Sequence, residues 1–174
     1  MANLFKNNAI LVGCLLLLLV PVSVVLADDD HEQSEGSSFG PIINDTVKKK
    51  CGACHFAYQP GLLPAASWEK IVAGLPVHFG EEIVLDQGSK AIILEYLCEN
   101  AADHSPAGRS KEIMKSLDGQ TPLRITETPY FFEKHYGLPS SVFNLPSIGA
   151  RSNCIACHST AEQGSYDDSV KIPR

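Results

Sequence analysis

The sequence predicts an all-α protein with a helical first half and a short, loop-rich second half. Apolar residues recur at helical spacing, most clearly over residues 90–100. The chain has 11 prolines and 13 glycines but only 7% aromatic residues, so it is rich in turns and poor in large core side chains. Two copies of a C-x-x-C-H motif, at residues 51–55 and 154–158, indicate that a bound group completes the core.

The charge balance argues against one class of function. Acidic side chains outnumber basic ones by 20 to 14, which gives a formal charge of −6. Proteins that bind nucleic acid need a basic face to neutralise phosphates. We therefore expect no nucleic-acid partner.

The N-terminal residues predict export of the protein. A short head containing Lys6 precedes an apolar run over residues 10–26, and small residues precede a cleavage point after Ala27. This pattern predicts a secretory signal peptide over residues 1–27 and a periplasmic mature protein. An uncleaved membrane anchor is the alternative, although the run is short for a span and Pro21 interrupts it. Residues 28–45 begin acidic and polar and are predicted to be a disordered leader.

The two C-x-x-C-H motifs carry the chemistry. The expected number of chance matches in a chain of this composition is about 0.007, so the repeat is significant. Two cysteines at this spacing can form thioethers to one porphyrin, and the following histidine can bind its iron. Disulfides would not need the histidines, and a zinc site built from four cysteines would leave both unexplained. The sequence thus predicts two covalently bound haem c groups, attached at Cys51, Cys54, Cys154 and Cys157 with His55 and His158 as iron ligands.

The sixth iron ligands decide between an electron carrier and a catalyst. His78 and His135 are favoured because each lies in an apolar or aromatic segment near a motif. His104, in a loop-like segment, and Met114 are the alternatives. Cys98 lies in a helical pattern and is predicted to be a small buried side chain rather than a reactive thiol.

Longer stretches around these residues resemble the dihaem cytochrome c (DHC) family. They are residues 51–68 (CGACHFAYQPGLLPAASW), 71–80 (IVAGLPVHFG), 124–130 (RITETPY) and 153–164 (NCIACHSTAEQG). The resemblance extends over about residues 46–173. It implies two low-spin haems with bis-histidine ligands. It also implies electron transfer beside an SHP-type monohaem cytochrome that binds oxygen and a membrane b-type cytochrome.

The first half also resembles a class I cytochrome c domain. The resemblance implies a motif-bearing helix over residues 46–56, a distal ligand at His78 and a closing helix over residues 90–100 with Tyr96 and Leu97. It further implies that the Pro60 carbonyl accepts the Nδ1 proton of His55; without the resemblance, Pro60 could equally make a simple turn. The predicted organisation is an N-terminal haem domain (46–101), a connecting segment (102–122) with a helix over residues 111–117, and a C-terminal haem-binding segment (123–174).

The resulting functional hypothesis is an exported redox carrier without enzymatic activity, because two six-coordinate irons leave no site for a small-molecule substrate. The expected donor is a membrane b-type cytochrome or a quinol-linked protein, and the expected acceptor is the SHP-type cytochrome. The alternatives are a dihaem peroxidase-like or nitrite-reducing enzyme and a small electron-transfer subunit of a periplasmic reductase. Lys48, Lys49 and Lys50 form either a docking site or an ordinary solvated charge run.

Overall fold

The computed structural model describes residues 38–166 and 170–173, and within them it contains five α-helices. They are α1 (Asp45–Cys51), α2 (Ala65–Ala73), α3 (Gln87–Glu99), α4 (Gly108–Leu117) and α5 (Pro129–Lys134). Short 3-10 turns lie between these helices and after α5, at Pro60–Leu62, Leu75–Val77, Ile125–Glu127, Val142–Asn144, Cys154–Ala156 and Ala161–Gln163. The described residues contain no β-strand beyond the isolated bridge between His78 and Glu81, which confirms the all-α prediction.

The predicted signal peptide, residues 1–27, lies outside the described residues. Among those that are described, no helix combines the length and the apolar character needed to cross a bilayer.

Helix α1 is shorter than the predicted helix over residues 46–56. The Asn44 side chain accepts a hydrogen bond from the amide of Val47 and caps its first turn. The helix ends at Cys51, and the Gly52 amide closes its last turn by donating to the Lys48 carbonyl. A side chain at Gly52 would collide with that carbonyl oxygen, which is a reason for glycine at this position. Cys54 and His55 consequently lie in the turn after the helix.

The first core lies between α1, α2 and α3. Its buried members include Leu63, Trp68, Ile93 and Leu97, all nearly inaccessible to solvent. Helix α3 covers the predicted closing helix, and its Tyr96 hydroxyl accepts a hydrogen bond from the Ile43 amide. Burial of these aliphatic and aromatic side chains holds the three helices together, and the first motif begins at the last residue of α1.

A second, smaller core forms where α4 and α5 meet. Its buried members are Leu62, Ile113, Leu117 and Tyr130. Helix α4 begins three residues before the predicted start of the connecting helix and ends, as predicted, at Leu117. Asp118 adopts a left-handed conformation at its C-terminus, and α5 begins with a Thr128 cap followed by Pro129.

The predicted leader extends too far along the chain. Residues 38–44 were included in it, yet the Phe39 amide donates a 3.0 Å hydrogen bond to the Gly164 carbonyl. The Phe39 ring meets Tyr166 edge to face, and Ile42 is 5% exposed in the first core. Phe39 and Ile42 therefore anchor the end of the predicted leader to the fold.

Candidate functional site

The first C-x-x-C-H motif brings its histidine opposite His78. The ring centroids of His55 and His78 lie 6.5 Å apart. His78 is held in a tight turn in which its backbone exchanges hydrogen bonds of 2.7 and 3.1 Å with Glu81. Phe79 takes a positive φ of 55° in this turn, and the Arg124 guanidinium lies 3.9 Å from the centre of its ring. Arg124 thus ties the His78 turn to the second half of the chain.

The second motif brings its histidine opposite His135. The ring centroids of His135 and His158 lie 6.1 Å apart. His135 follows the last residue of α5, and its ring stacks on Phe131 at 4.0 Å with 23° between the planes. Each motif histidine therefore faces one of the two histidines that the sequence favours as a sixth ligand.

These spacings suit two imidazoles that bind one metal ion from opposite sides. A metal–imidazole bond is about 2.0–2.1 Å, and a ring nitrogen lies about 1.1–1.2 Å from its centroid, so two rings in line are separated by about 6.4 Å. The observed 6.5 and 6.1 Å bracket this value. The four histidines fit two iron atoms with two nitrogen ligands each.

Main-chain carbonyls set the tautomer of one histidine in each pair. Nδ1 of His55 donates to the Phe56 carbonyl at 2.7 Å, and Nδ1 of His135 donates to the Phe131 carbonyl at 2.8 Å. A carbonyl can only accept, so the proton is on Nδ1 and the Nε2 lone pair is left for a metal. Burial lowers the pKa of His78, and the positive charge of Arg124 lowers it further, which favours the neutral ring that a metal requires.

The expected bond from His55 to Pro60 is wrong. The Pro60 carbonyl instead accepts a 2.8 Å hydrogen bond from the indole nitrogen of Trp68. Trp68 is 6% exposed, and a buried indole N–H needs an acceptor. The nearer carbonyl of Phe56 takes over the role with His55.

A cavity surrounds the second histidine pair. Its volume is about 300 Å³, and both cysteines and the histidine of the motif line it. Ile113, Ile125, Phe131, Val142, Phe143 and Ile148 supply apolar lining. Such a lining suits the flat apolar faces of a porphyrin.

Three cations also line this cavity, namely Arg109, Lys134 and Arg151. Two nitrogens of Arg109 donate to the Tyr130 hydroxyl and the Tyr166 carbonyl, at 3.0 and 2.9 Å. Its buried Nε has no hydrogen-bond partner among the described residues. A buried donor without a partner is costly, so Arg109 suits an anion in the cavity such as a haem propionate.

Two tyrosines and a glutamine link the two sites. The Tyr58 ring stacks on His55 at 4.7 Å, and its hydroxyl donates to the Ser152 carbonyl at 2.9 Å. In the other direction, Tyr166 lies 5.6 Å from His158, and its hydroxyl donates to Gln59 Oε1 at 2.6 Å. Tyr58 and Gln59 are adjacent in the chain. Tyr58 thus contacts the first motif histidine directly, and Gln59 contacts the tyrosine that packs against the second.

The remaining candidates lie elsewhere. His104 is exposed and its Nδ1 donates to the Cys98 carbonyl, while Met114 packs on the second core. Cys98 packs against the first core, and burial raises the pKa of its thiol. The structure therefore brings neither His104 nor Met114 to a motif histidine.

The structure gives no support to the two alternative roles of the motif cysteines, which are disulfide formation and zinc binding. Cys51, Cys54, Cys154 and Cys157 form no disulfide, and no cluster of three or more metal-binding side chains occurs among residues 38–166 and 170–173. Burial raises the pKa of the Cys154 thiol to about 11.

The sequence does not predict several residues that lie at the two histidine pairs. Arg109, Arg124 and Tyr166 reach the sites from segments distant along the chain, so no local spacing marks them. Phe131 carries a weak signal, since it precedes His135 by one helical turn and could be expected to stack on it.

Comparisons with known proteins show which family the chain belongs to. A search of curated proteins finds no match. A diheme cytochrome c from Rhodobacter sphaeroides is 41% identical, covers 73% of this chain and 99% of its own, and superposes with a TM-score of 0.65. The diheme cytochrome from Shewanella baltica OS155 is 37% identical, with 75% of this chain and 93% of its own covered and a TM-score of 0.62. The family model described as dihaem cytochrome c matches residues 47–166, and the chain belongs to that family.

Proposed function

We propose that this protein carries electrons between partner proteins, catalyses no reaction itself, and uses His78 and His135 as the sixth ligands of its two haem irons. The observation that carries the proposal is the facing of each motif histidine by a second histidine, at centroid distances of 6.5 and 6.1 Å. If both histidines of a pair bound its haem iron, no position would be left for a substrate, which suits a carrier.

The chain's own groups have distinct roles in this proposal. Cys51 and Cys54 hold the first haem and Cys154 and Cys157 the second, while each bound haem supplies a one-electron redox couple. The carbonyls of Phe56 and Phe131 keep the proton on Nδ1 of His55 and His135. Hydrogen bonds of this kind orient a ligand and increase its basicity, which stabilises ferric iron.

The proposed setting is the periplasm. We assign the donor to a membrane b-type cytochrome or a quinol-linked protein, and the acceptor to an SHP-type monohaem cytochrome. The family match and the apolar run at residues 10–26 support this setting. Exposed Lys48, Lys49 and Lys50, immediately before Cys51, offer a positive surface beside the first haem site.

A redox titration of ligand variants tests the ligand assignment. Methionine in place of one histidine raises the potential of a c-type haem. His78→Met and His135→Met should each raise one potential and leave the other nearly unchanged. His104→Met is the matched control, because His104 is exposed and bonded to the Cys98 carbonyl. A shift in His104→Met with none in His78→Met and His135→Met would overturn the assignment.

A further inference from the structure

The two histidine pairs differ in how their rings are turned relative to each other. The planes of His55 and His78 are 23° apart, whereas those of His135 and His158 are 81° apart. The centroid distances are similar, at 6.5 and 6.1 Å, and both suit a shared metal ion. The sites therefore resemble each other in ligand spacing and differ in ligand orientation.

The orientation at the first pair is set by neighbours on both sides. The bond from Nδ1 to the Phe56 carbonyl fixes the rotation of the His55 ring, and the Tyr58 ring lies against it at 28°. The His78 turn is fixed by its backbone bonds to Glu81 and by Arg124 above the Phe79 ring. The near-parallel planes follow from these contacts.

The orientation at the second pair is set by other elements. Phe131 acts twice on His135, since its carbonyl accepts the Nδ1 proton and its ring stacks on the imidazole at 4.0 Å. His158 lies against Tyr166 at 60°, and Gln59 fixes the Tyr166 hydroxyl. Because the two rings are packed against different segments, protein contacts hold them nearly perpendicular.

We propose that the two haem irons are electronically inequivalent, with near-parallel imidazoles at His55 and His78, near-perpendicular imidazoles at His135 and His158, and Phe131 as the positioning residue for the perpendicular pair. This inference rests on the proposed ligand assignment. Parallel imidazoles donate π electrons mainly into one of the two iron dπ orbitals and separate their energies. Perpendicular imidazoles donate into both and leave the energies nearly equal, which increases the orbital moment of ferric iron.

Electron paramagnetic resonance of the frozen, fully oxidised holoprotein tests the inference. The spectrum should show two low-spin signals of equal integrated intensity. One should be an ordinary rhombic signal, and the other should be strongly anisotropic with a single dominant low-field feature. The rhombic signal should disappear in His78→Met and the anisotropic signal in His135→Met. Two ordinary rhombic signals, or loss of the anisotropic signal in His78→Met alone, would overturn the proposal.

A second variant tests the positioning role. Phe131→Leu removes the stacked ring and retains the backbone carbonyl, so the anisotropic signal should move towards the rhombic form or broaden while the first signal stays unchanged. Phe132→Leu is the matched control, since Phe132 is half-exposed and meets Phe131 only edge to face. An unchanged anisotropic signal in a folded Phe131→Leu protein would exclude Phe131 as the positioning residue.

The same paramagnetic resonance spectra, together with the optical absorption spectrum of the oxidised holoprotein, distinguish failure of the ligand assignment from failure of the inequivalence. A high-spin signal, or an absorption band from methionine sulfur bound to iron, would show that the ligand assignment itself is wrong. Two equivalent low-spin signals without either feature would leave the bis-histidine assignment intact and contradict only the inequivalence.

Discussion

The Tyr58 hydroxyl donates a 2.9 Å hydrogen bond to the carbonyl of Ser152, which lies 94 residues further along the chain and two residues before Cys154. The same side chain stacks on His55. One residue thus connects the histidine of the first C-x-x-C-H motif to the segment just before the second motif. The short second half, which has few core side chains of its own, is positioned by such bonds.

Removal of this hydroxyl should weaken the fold measurably. Burial, together with the nearby Cys154, raises the pKa of Tyr58 to about 12, so the hydroxyl remains a donor at neutral pH. Tyr58→Phe should lower the free energy of unfolding by about 0.5–1.5 kcal/mol. Urea denaturation of the ferric holoprotein would measure it. Tyr136→Phe, at a side chain that is 94% exposed, is the control, and an equal loss in both variants would refute the link.

Alanine substitutions at two glycines test whether residues 38–44 pack on the second half of the chain. A side chain at Gly164 would collide with the Gly40 backbone, whereas one at Gly149 would meet nothing within 4 Å. Both glycines have positive φ, near 80°, so alanine costs about 1–2 kcal/mol of strain at either position. Gly164→Ala should cost roughly a further 1–3 kcal/mol from the collision. Equal thermal stability of the two variants would mean that these residues do not pack on the second half.

The contact between Arg124 and Phe79 should keep His78 in place. A cation–π contact at an exposed position contributes about 0.5–1 kcal/mol. Arg124→Ala should therefore increase the rate at which cyanide displaces a ligand of the first ferric haem by roughly two- to fivefold. Glu127→Gln is the control, because it removes only the 3.4 Å ion pair with Arg124. Similar cyanide rates in both variants would exclude a role for the ring contact.

The basic residues before the first motif should steer an acidic partner. Lys49→Glu is expected to slow electron transfer to an SHP-type cytochrome at low ionic strength, and the wild-type rate should fall as salt is added. Stopped-flow mixing would measure both effects. Lys111→Glu makes the same charge change on an exposed residue of α4 and should have a smaller effect. A wild-type rate independent of salt would remove the steering argument.

The sequence was most informative where the chemistry is local. The motif spacing predicts the haem attachment residues, and apolar surroundings select His78 and His135, which the structure brings to the motif histidines. Local patterns also place α3 correctly, because its apolar residues recur at helical spacing. The Pro60 prediction failed because Trp68, eight residues away, competes for the same carbonyl. Contacts such as Tyr58 with Ser152 depend on how distant segments pack, which no local pattern specifies.

Carbon monoxide binding to the fully reduced holoprotein tests the central claim most directly, because that claim is two irons closed by histidine on both sides. The gas must displace His78 or His135 before it can bind. We expect slow, weak binding with rates limited by dissociation of a histidine, and little change in the spectrum on mixing. Rapid, high-affinity binding at either haem would show an open iron and contradict the assignment of this protein as an electron carrier.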